Sequence, residues 1–515
     1  MRTRAVLTLT AVVLLIVGAG IFAVLRPGEQ RARAAAVAGP EETGRAYLDS
    51  WQDSDFITMR DMVADAPADF VQRHVTFGRD LDIESLKLTP GTLRRRGEQA
   101  AELPFEGVRK VKELGEWPFA STLRLALRDG RWKVLWRPDT LHPALVNGGR
   151  IELKEVPAPP AEPVTDSGEP FPRDSGAESY FGAFGAGAKE SESGYALEAI
   201  QADGRTRELV AFKPPHARKV PTTVSRSVQA AAARALDGVD LPAAIVAIRP
   251  RTGEVLAISD RLGDRNSGRN AFLGYYPPGS TFKVITATAL LTGGLSQDAQ
   301  VPCPATYTPP QGREFGNAGG RTVPGTITLT GAFAISCNTT FVEQSVRLLP
   351  DGAGLVRAAE LFGFNKDIDG PGVCGRIQPP TTVDELASDA IGQDSVVASP
   401  LCMALVAAAV QDGAWHQPVI VKGRPPSAGP VALPPKAVEG LRAMMRAVVS
   451  EGTAASAAFP PGTAGKTGTA QAAGGQEHSW FIGYRGEVAF AVLVENGGSG
   501  AEAAVPIAAR FLRAL

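Results

Sequence analysis

Histidine and cysteine are scarce in this 515-residue chain, with five of the first and four of the second. Cys303, Cys337, Cys374 and Cys402 make no C-x-x-C pair, and the histidines are scattered, so the ligand set of a zinc site is missing. No G-x-S-x-G elbow occurs, which argues against a histidine-based serine triad. The formal net charge is −1, so no global field draws a polyanion such as nucleic acid. No repeat of solenoid or propeller period is present. Glycine (56) and proline (40) are plentiful but not periodic, which excludes a collagen-like chain. The four thiols leave two readings open. Outside the cell a disulfide is allowed, and four cysteines permit three full pairings. Buried free thiols suit Cys337 and Cys402 at least as well, because both sit in apolar helical contexts.

A single run is long and apolar enough to span a bilayer. Ala5–Leu25 is uncharged, and at about 1.5 Å per residue it reaches roughly 30 Å, the hydrocarbon thickness of a bilayer. It reads as a retained anchor rather than a signal peptide, whose apolar core is shorter. The rival reading is cleavage near Ala34-Ala35-Ala36. Arg2 and Arg4 precede the run and Arg26, Arg31 and Arg33 follow it, so charge alone does not orient it. Residues 1–4 then form a tail, 5–25 the transmembrane anchor and 26–40 a tether.

Residues 41–143 read as a small α+β domain. Ala46, Tyr47, Leu48 and Trp51 recur at helical spacing. Leu123, Leu125 and Leu127 alternate before Asp129-Gly130, and Trp132, Val134 and Trp136 alternate after it, which predicts a hairpin. Within 144–224, residues 155–190 are rich in Pro, Glu, Gly, Ser and Ala, and read as a linker or loosely folded insert. Residues 225–515 read as one large α/β or α+β domain. Ala244–Ile248 and Val255–Ile258 flank Arg251-Thr252-Gly253 as a hairpin, alanine-rich helical stretches lie around 327–347, 385–411 and 435–450, and strands return at Trp480–Gly483 and Val488–Val494 before a terminal helix.

Three short motifs occur in order in that domain: Ser280-Thr281-Phe282-Lys283, Ser336-Cys337-Asn338 and Lys466-Thr467-Gly468. Among thirteen lysines, only Lys283 has a serine three residues before it, and among seven asparagines, only Asn338 has a serine two before it. Each motif alone is weak, since composition gives on the order of one chance S-x-x-K in such a chain. Tyr276-Pro277-Pro278-Gly279 is a turn that should start a helix, which puts Ser280 at its N-terminus, where free N–H groups favour negative charge. Lys283 lies one turn on, on the same face, and a buried lysine near other cations can shed its proton and act as a base. Alone, this pair would be a helix cap and a solvated charge. Ser336 and Asn338 suit a loop joining two helices, as a proton-relay hydroxyl and a peptide-gripping amide, or more plainly as a cap followed by packing. Lys466-Thr467-Gly468-Thr469 suits an extended edge whose glycine lets a substrate backbone approach, with Lys466 and Thr467 able to bind a carboxylate. Gly465-Lys466-Thr467 also echoes a nucleotide P-loop, but the required earlier glycine is Pro460.

Together the motifs resemble the penicillin-binding protein and serine β-lactamase superfamily. Pro278-Gly279 before Ser280, Ile391-Gly392-Gln393 with Ser399–Ala404, Val448–Ala454 and Ser479–Tyr484 extend the likeness over about 225–515. Arg131–Pro138 and His142-Pro143 resemble the end of the nuclear-transport-factor-2-like domain of some class B penicillin-binding proteins, a spacer. The R-G-x-I-x-D-R-x-G element usual in the linking region is reduced to Gly148-Gly149-Arg150-Ile151, so 144–224 reads as a reduced pedestal. The resemblance implies a transpeptidase fold: an antiparallel sheet flanked by helices, plus an all-helical subdomain. It implies a D,D-transpeptidase that cross-links peptidoglycan stem peptides ending in D-Ala-D-Ala and is acylated by β-lactams. Ser280 would be the nucleophile, Lys283 the base and Ser336 the relay. Asn338, Lys466, Thr467, Gly468 and Thr469 would bind substrate, and the N–H groups of Ser280 and Thr469 would form the oxyanion hole. No metal or cofactor is implied. The catalytic domain would lie outside the cell membrane on one N-terminal span, with a glycosyltransferase or wall-synthesis complex as the partner. The same motifs also serve D,D-carboxypeptidases, D,D-endopeptidases and β-lactamases, and a non-catalytic β-lactam-binding scaffold or sensor is the reading from another class.

Overall fold

The computed structural model describes residues 38–186 and 191–515. The expected anchor at 5–25 lies outside the described residues, as does most of the tether. Among the described residues no helix is long and apolar enough to cross a membrane. The chain divides into two compact units: residues up to Pro159 with Ser191–Ala217, and Pro160–Glu190 with Arg218–Leu515.

In the first unit, helices Pro40–Gln52, Phe56–Asp61 and Phe70–Asp80 precede an antiparallel sheet of Ile83–Pro90, Ala100–Val111, Gly115–Arg128 and Arg131–Val134. Tyr47, Leu48 and Trp51 fill one core with Leu103, Phe105, Leu123 and Leu125, as the helical and alternating patterns require. Asp129 and Gly130 both have positive φ (47° and 73°), the backbone that a two-residue hairpin turn demands. Arg150–Val156, Gly194–Ile200 and Thr206–Lys213 form a further three-stranded antiparallel sheet in the same unit.

The second unit is built on a five-stranded antiparallel sheet in the order Val255–Arg261, Ala243–Ile248, Val488–Val494, Glu477–Arg485, Ala464–Gln471. Every residue of Ala243–Ile248 is buried, which explains its unbroken apolar run at the second position of the sheet. Helix Pro400–Asp412 packs on the sheet. Ser399 caps it by accepting from Cys402 N at 3.0 Å, and Gly413 (φ 96°) ends it. Helices Lys283–Thr292, Leu329–Ala334, Asn338–Leu348, Ala353–Leu361, Val383–Asp389 and Pro435–Ser450 make up the helical cluster.

Two readings left open by the sequence are narrowed by the structure. The stretch read as a linker or loosely folded insert, 155–190, carries short strands and helices in its described part up to residue 186, and that part from Pro160 belongs to the second unit. Four aromatic residues help to dock it despite its polar composition. Tyr180 and Phe184 are buried in the core, Phe171 and Phe181 pack at 4.9 Å, and Tyr180 donates to Asp260 at 2.6 Å. The cysteines are not free thiols: Cys303 bonds Cys337 and Cys374 bonds Cys402. Apolar helical context did not separate a buried thiol from a buried half-cystine, because both are equally buried.

Candidate active site

Ser280 lies in a 3₁₀ turn, Gly279–Phe282, that leads into helix Lys283–Thr292. The turn sits against the edge strand Ala464–Gln471, and two glycines, Gly279 and Gly468, make that approach possible, while a third, Gly392, packs on the turn itself. Gly279 has φ +52°, and a Cβ there would come 2.3 Å from Thr469 O. A Cβ at Gly468 would stand 2.7 Å from Thr281 Cγ2 and 2.9 Å from Pro278 O. Gly392 accepts from Gly279 N at 2.9 Å, and a Cβ on it would strike Gly279 O at 2.1 Å. Trp480 Nε1 donates to Pro277 O at 3.0 Å and pins the approach to the turn from the neighbouring strand.

Lys283 is fully buried beneath the cleft. Its Nζ is 3.1 Å from Ser280 Oγ, 2.9 Å from Ser336 O, 2.6 Å from Asn338 Oδ1 and 3.4 Å from Ser336 Oγ. Burial holds its pKa well below the ordinary lysine value, and the nearby charges of Lys466 and Arg321 push the same way. A neutral amine has two hydrogens and one lone pair. The hydrogens fit Ser336 O and Asn338 Oδ1, which leaves the lone pair for the Ser280 hydroxyl.

Ser336 lies in the break between helices Leu329–Ala334 and Asn338–Leu348, the loop the sequence suggested, and Asn338 is the first residue of the second helix. Ser336 is held at φ +59°, a conformation rare for a residue with a side chain. Lys466, also fully buried, donates to Ser336 Oγ at 2.8 Å and to Thr467 O at 2.9 Å. Burial and the charge of Arg321 lower its pKa to about 7. Thr467 and Thr453 share a hydroxyl hydrogen bond of 2.6 Å, and Thr469 Oγ1 accepts from Gly500 N at 3.2 Å. Ser280, Ser336, Asn338, Thr467 and Thr469 all line one cleft of about 480 Å³. Every site residue singled out in the sequence therefore converges here. Among the described residues no group of histidine, cysteine, aspartate and glutamate is arranged to hold a metal.

Sequence reasoning missed Asn317 and Arg321. Both line the cleft, and Arg321 also donates to Ile335 O. They sit in Gly316-Asn317-Ala318-Gly319-Gly320-Arg321, a glycine-rich turn with no local pattern tying it to Ser336. Thr453 lay in a stretch already noted for its likeness, but nothing in that stretch marked its hydroxyl for Thr467.

Comparison with known proteins gives two family matches. Residues 243–513 match the penicillin binding protein transpeptidase domain, and residues 39–149 match the NTF2-like N-terminal transpeptidase domain. The chain is 31% identical over 351 residues to the peptidoglycan D,D-transpeptidase PbpA of Mycolicibacterium smegmatis, covering 57% of this chain and 70% of that protein. It is 30% identical over 355 residues to the Mycobacterium tuberculosis protein of the same name, with the same coverage. Among solved structures, penicillin-binding protein A of M. tuberculosis superposes with a TM-score of 0.52 at 26% identity, over 59% of this chain and 81% of that one. Its ceftriaxone acyl-enzyme complex matches with a TM-score of 0.51 at 27% identity, over the same shares.

Proposed function

Because the chain belongs to the penicillin-binding protein transpeptidase family, we propose that it is a peptidoglycan D,D-transpeptidase working through an acyl-enzyme on Ser280. The observation that carries this reading is the 3.1 Å contact between Ser280 Oγ and a lysine whose remaining hydrogens are already engaged. Ser280 Oγ attacks the carbonyl carbon between the two terminal D-alanines of a stem peptide and passes its proton to Lys283 Nζ. The developing oxyanion is held by the N–H groups of Ser280 and Thr469, which lie on the turn and edge strand that Gly279 lets meet. The peptide C–N bond then breaks. Ser336 Oγ gives its proton to the departing D-alanine amine, with the two lysines at 2.8 and 3.4 Å to replenish it. Lys466 in its protonated form, with Thr467 and Thr469, receives the terminal carboxylate, and Asn338 Nδ2 holds a substrate amide. The amine of a second stem peptide attacks the ester carbonyl, forms the cross-link and releases Ser280. Penicillin, with its strained amide and carboxylate, takes the donor's place and leaves an acyl group on Ser280.

Residues 5–25 would anchor the chain as a single span with the catalytic unit outside the membrane, a reading that rests on the uncharged run. The early domain, about 41–143, would act as a spacer carrying the catalytic unit away from the bilayer, and a polymerase partner would supply the glycan strands. The direct test offers a pentapeptide ending in D-Ala-D-Ala together with an acceptor amine. A transpeptidase releases D-alanine and forms the cross-linked dimer in step. Release of D-alanine with only hydrolysed tetrapeptide would make the protein a carboxypeptidase.

A further inference from the structure

Helix Asn338–Leu348 begins with a residue of the site, yet the side chain of its own N-cap, the half-cystine Cys337, makes no cap hydrogen bond to the helix's free N–H groups. Two of those free N–H groups are taken from a distance. Asn317, 21 positions earlier, accepts through Oδ1 from Asn338 N at 2.7 Å and from Thr339 N at 3.1 Å. Its Nδ2 faces Pro304 O at 2.8 Å, Arg321 O at 2.8 Å and Thr339 Oγ1 at 3.2 Å, and stands 3.8 Å from Cys303 Sγ. Both ends of the amide are thus occupied by the protein, although the residue lines the cleft.

We propose that Asn317 is a positioning residue for the acyl transfer: a cap supplied in trans that fixes the start of helix Asn338–Leu348 and, through it, the Asn338 and Ser336 groups that hold Lys283. The inference rests on the proposed function of Ser280 and Lys283. The chain of contacts is short. Asn338 Oδ1 receives Lys283 Nζ at 2.6 Å, and the Ser336 carbonyl receives it at 2.9 Å. Those two acceptors aim the lysine lone pair at Ser280, so a shift in the helix start moves the base. Arg321, whose carbonyl takes one hydrogen of the same amide, lowers the pKa of both buried lysines through its charge. One amide thereby ties the geometry of the base to the loop that carries Arg321.

The test measures the acylation rate by a fluorescent penicillin in the parent, Asn317→Ala, Asn317→Ser and Asn317→Asp, alongside their melting temperatures. Asn317→Ala should acylate roughly ten- to a hundred-fold more slowly, the scale at which a small misplacement acts on catalysis. Asn317→Asp keeps the one acceptor that takes both helix N–H groups but sets its second oxygen against the Pro304 and Arg321 carbonyls in place of the Nδ2 donations, so it should recover most of the rate while its melting temperature stays depressed. Asn317→Ser, with one shorter acceptor, should fall between them, and it stands in if the alanine variant does not fold. Alanine or serine variants as fast as the parent, an aspartate variant no faster than alanine, or rates that simply follow melting temperature would overturn the proposal. An unlabelled parent would refute the functional reading itself, whereas a labelled parent matched by its alanine variant would refute only the cap.

Discussion

Lys466 donates to the Ser336 hydroxyl at 2.8 Å across 130 residues of sequence, and so joins the third motif to the second. Lys283 reaches the same oxygen at 3.4 Å from the first motif. Two fully buried lysines thus meet at one hydroxyl with no carboxylate among their hydrogen-bond partners. Such an arrangement is costly unless at least one lysine is neutral, and a neutral lysine is what the proposed role of Lys283 as base requires.

Ser336→Ala removes the hydroxyl shared by both lysines and leaves Lys283 beside Ser280. Acylation by penicillin should slow by about 10²- to 10⁴-fold, the range of a lost general acid–base group, with the fold retained. Stopped-flow labelling beside circular dichroism checks both halves. A rate within a few-fold of the parent would remove Ser336 from the relay.

Lys466 also makes a prediction for stability. Its folded pKa is lowered to about 7, so above that pH the unfolded chain holds a proton there that the folded chain does not. Stability therefore rises with pH from about 7 towards the ordinary lysine range near about 10, and the cost of the buried charge is fully present below about 7. Lys466→Met removes that cost. Its melting temperature should exceed the parent's most at and below neutral pH, and the gap should narrow towards pH 10. A gap that does not change with pH would contradict the assignment.

Gly468→Ala should act through space alone. The new Cβ would meet Thr281 Cγ2 and Pro278 O and push the Ser280 turn off the edge strand. Acylation should fall by roughly 10²-fold, the effect of a displacement on the order of an ångström. Parent-like acylation would mean that the turn yields without cost.

The Cys303–Cys337 bridge closes a loop of sequence separation 34 and joins the middle of the second motif to strand Gln300–Cys303. Replacing both residues by serine should cost about 2–4 kcal/mol in denaturant unfolding. A loss below about 1 kcal/mol would show that the hydrogen bonds donated by the Thr339 and Thr340 hydroxyls to Pro304 O and Pro302 O carry the junction without the bridge.

Much of this architecture was legible in local pattern. The Asp129-Gly130 hairpin, the buried strand Ala243–Ile248 and the break at Ser336 each follow from residue types within a few positions. Ser280 and Lys283 were legible because one helical turn fixes their distance. What escaped is set by long-range packing. Tyr180 and Phe184 dock a stretch whose composition reads as linker, Cys303 finds Cys337 rather than another partner, and Asn317 caps a helix that starts 21 positions later. In each case the physical cause is a contact between residues remote in sequence, which neither periodicity nor composition encodes.

The central claim, that Ser280 is the nucleophile of an acyl-transfer site, is tested most directly by incubating the parent and Ser280→Ala with a fluorescent penicillin and mapping the labelled peptide. The account predicts one covalent label, on the peptide carrying Ser280, lost in the alanine variant. A label that persists in Ser280→Ala, or one mapped to another residue, would contradict it.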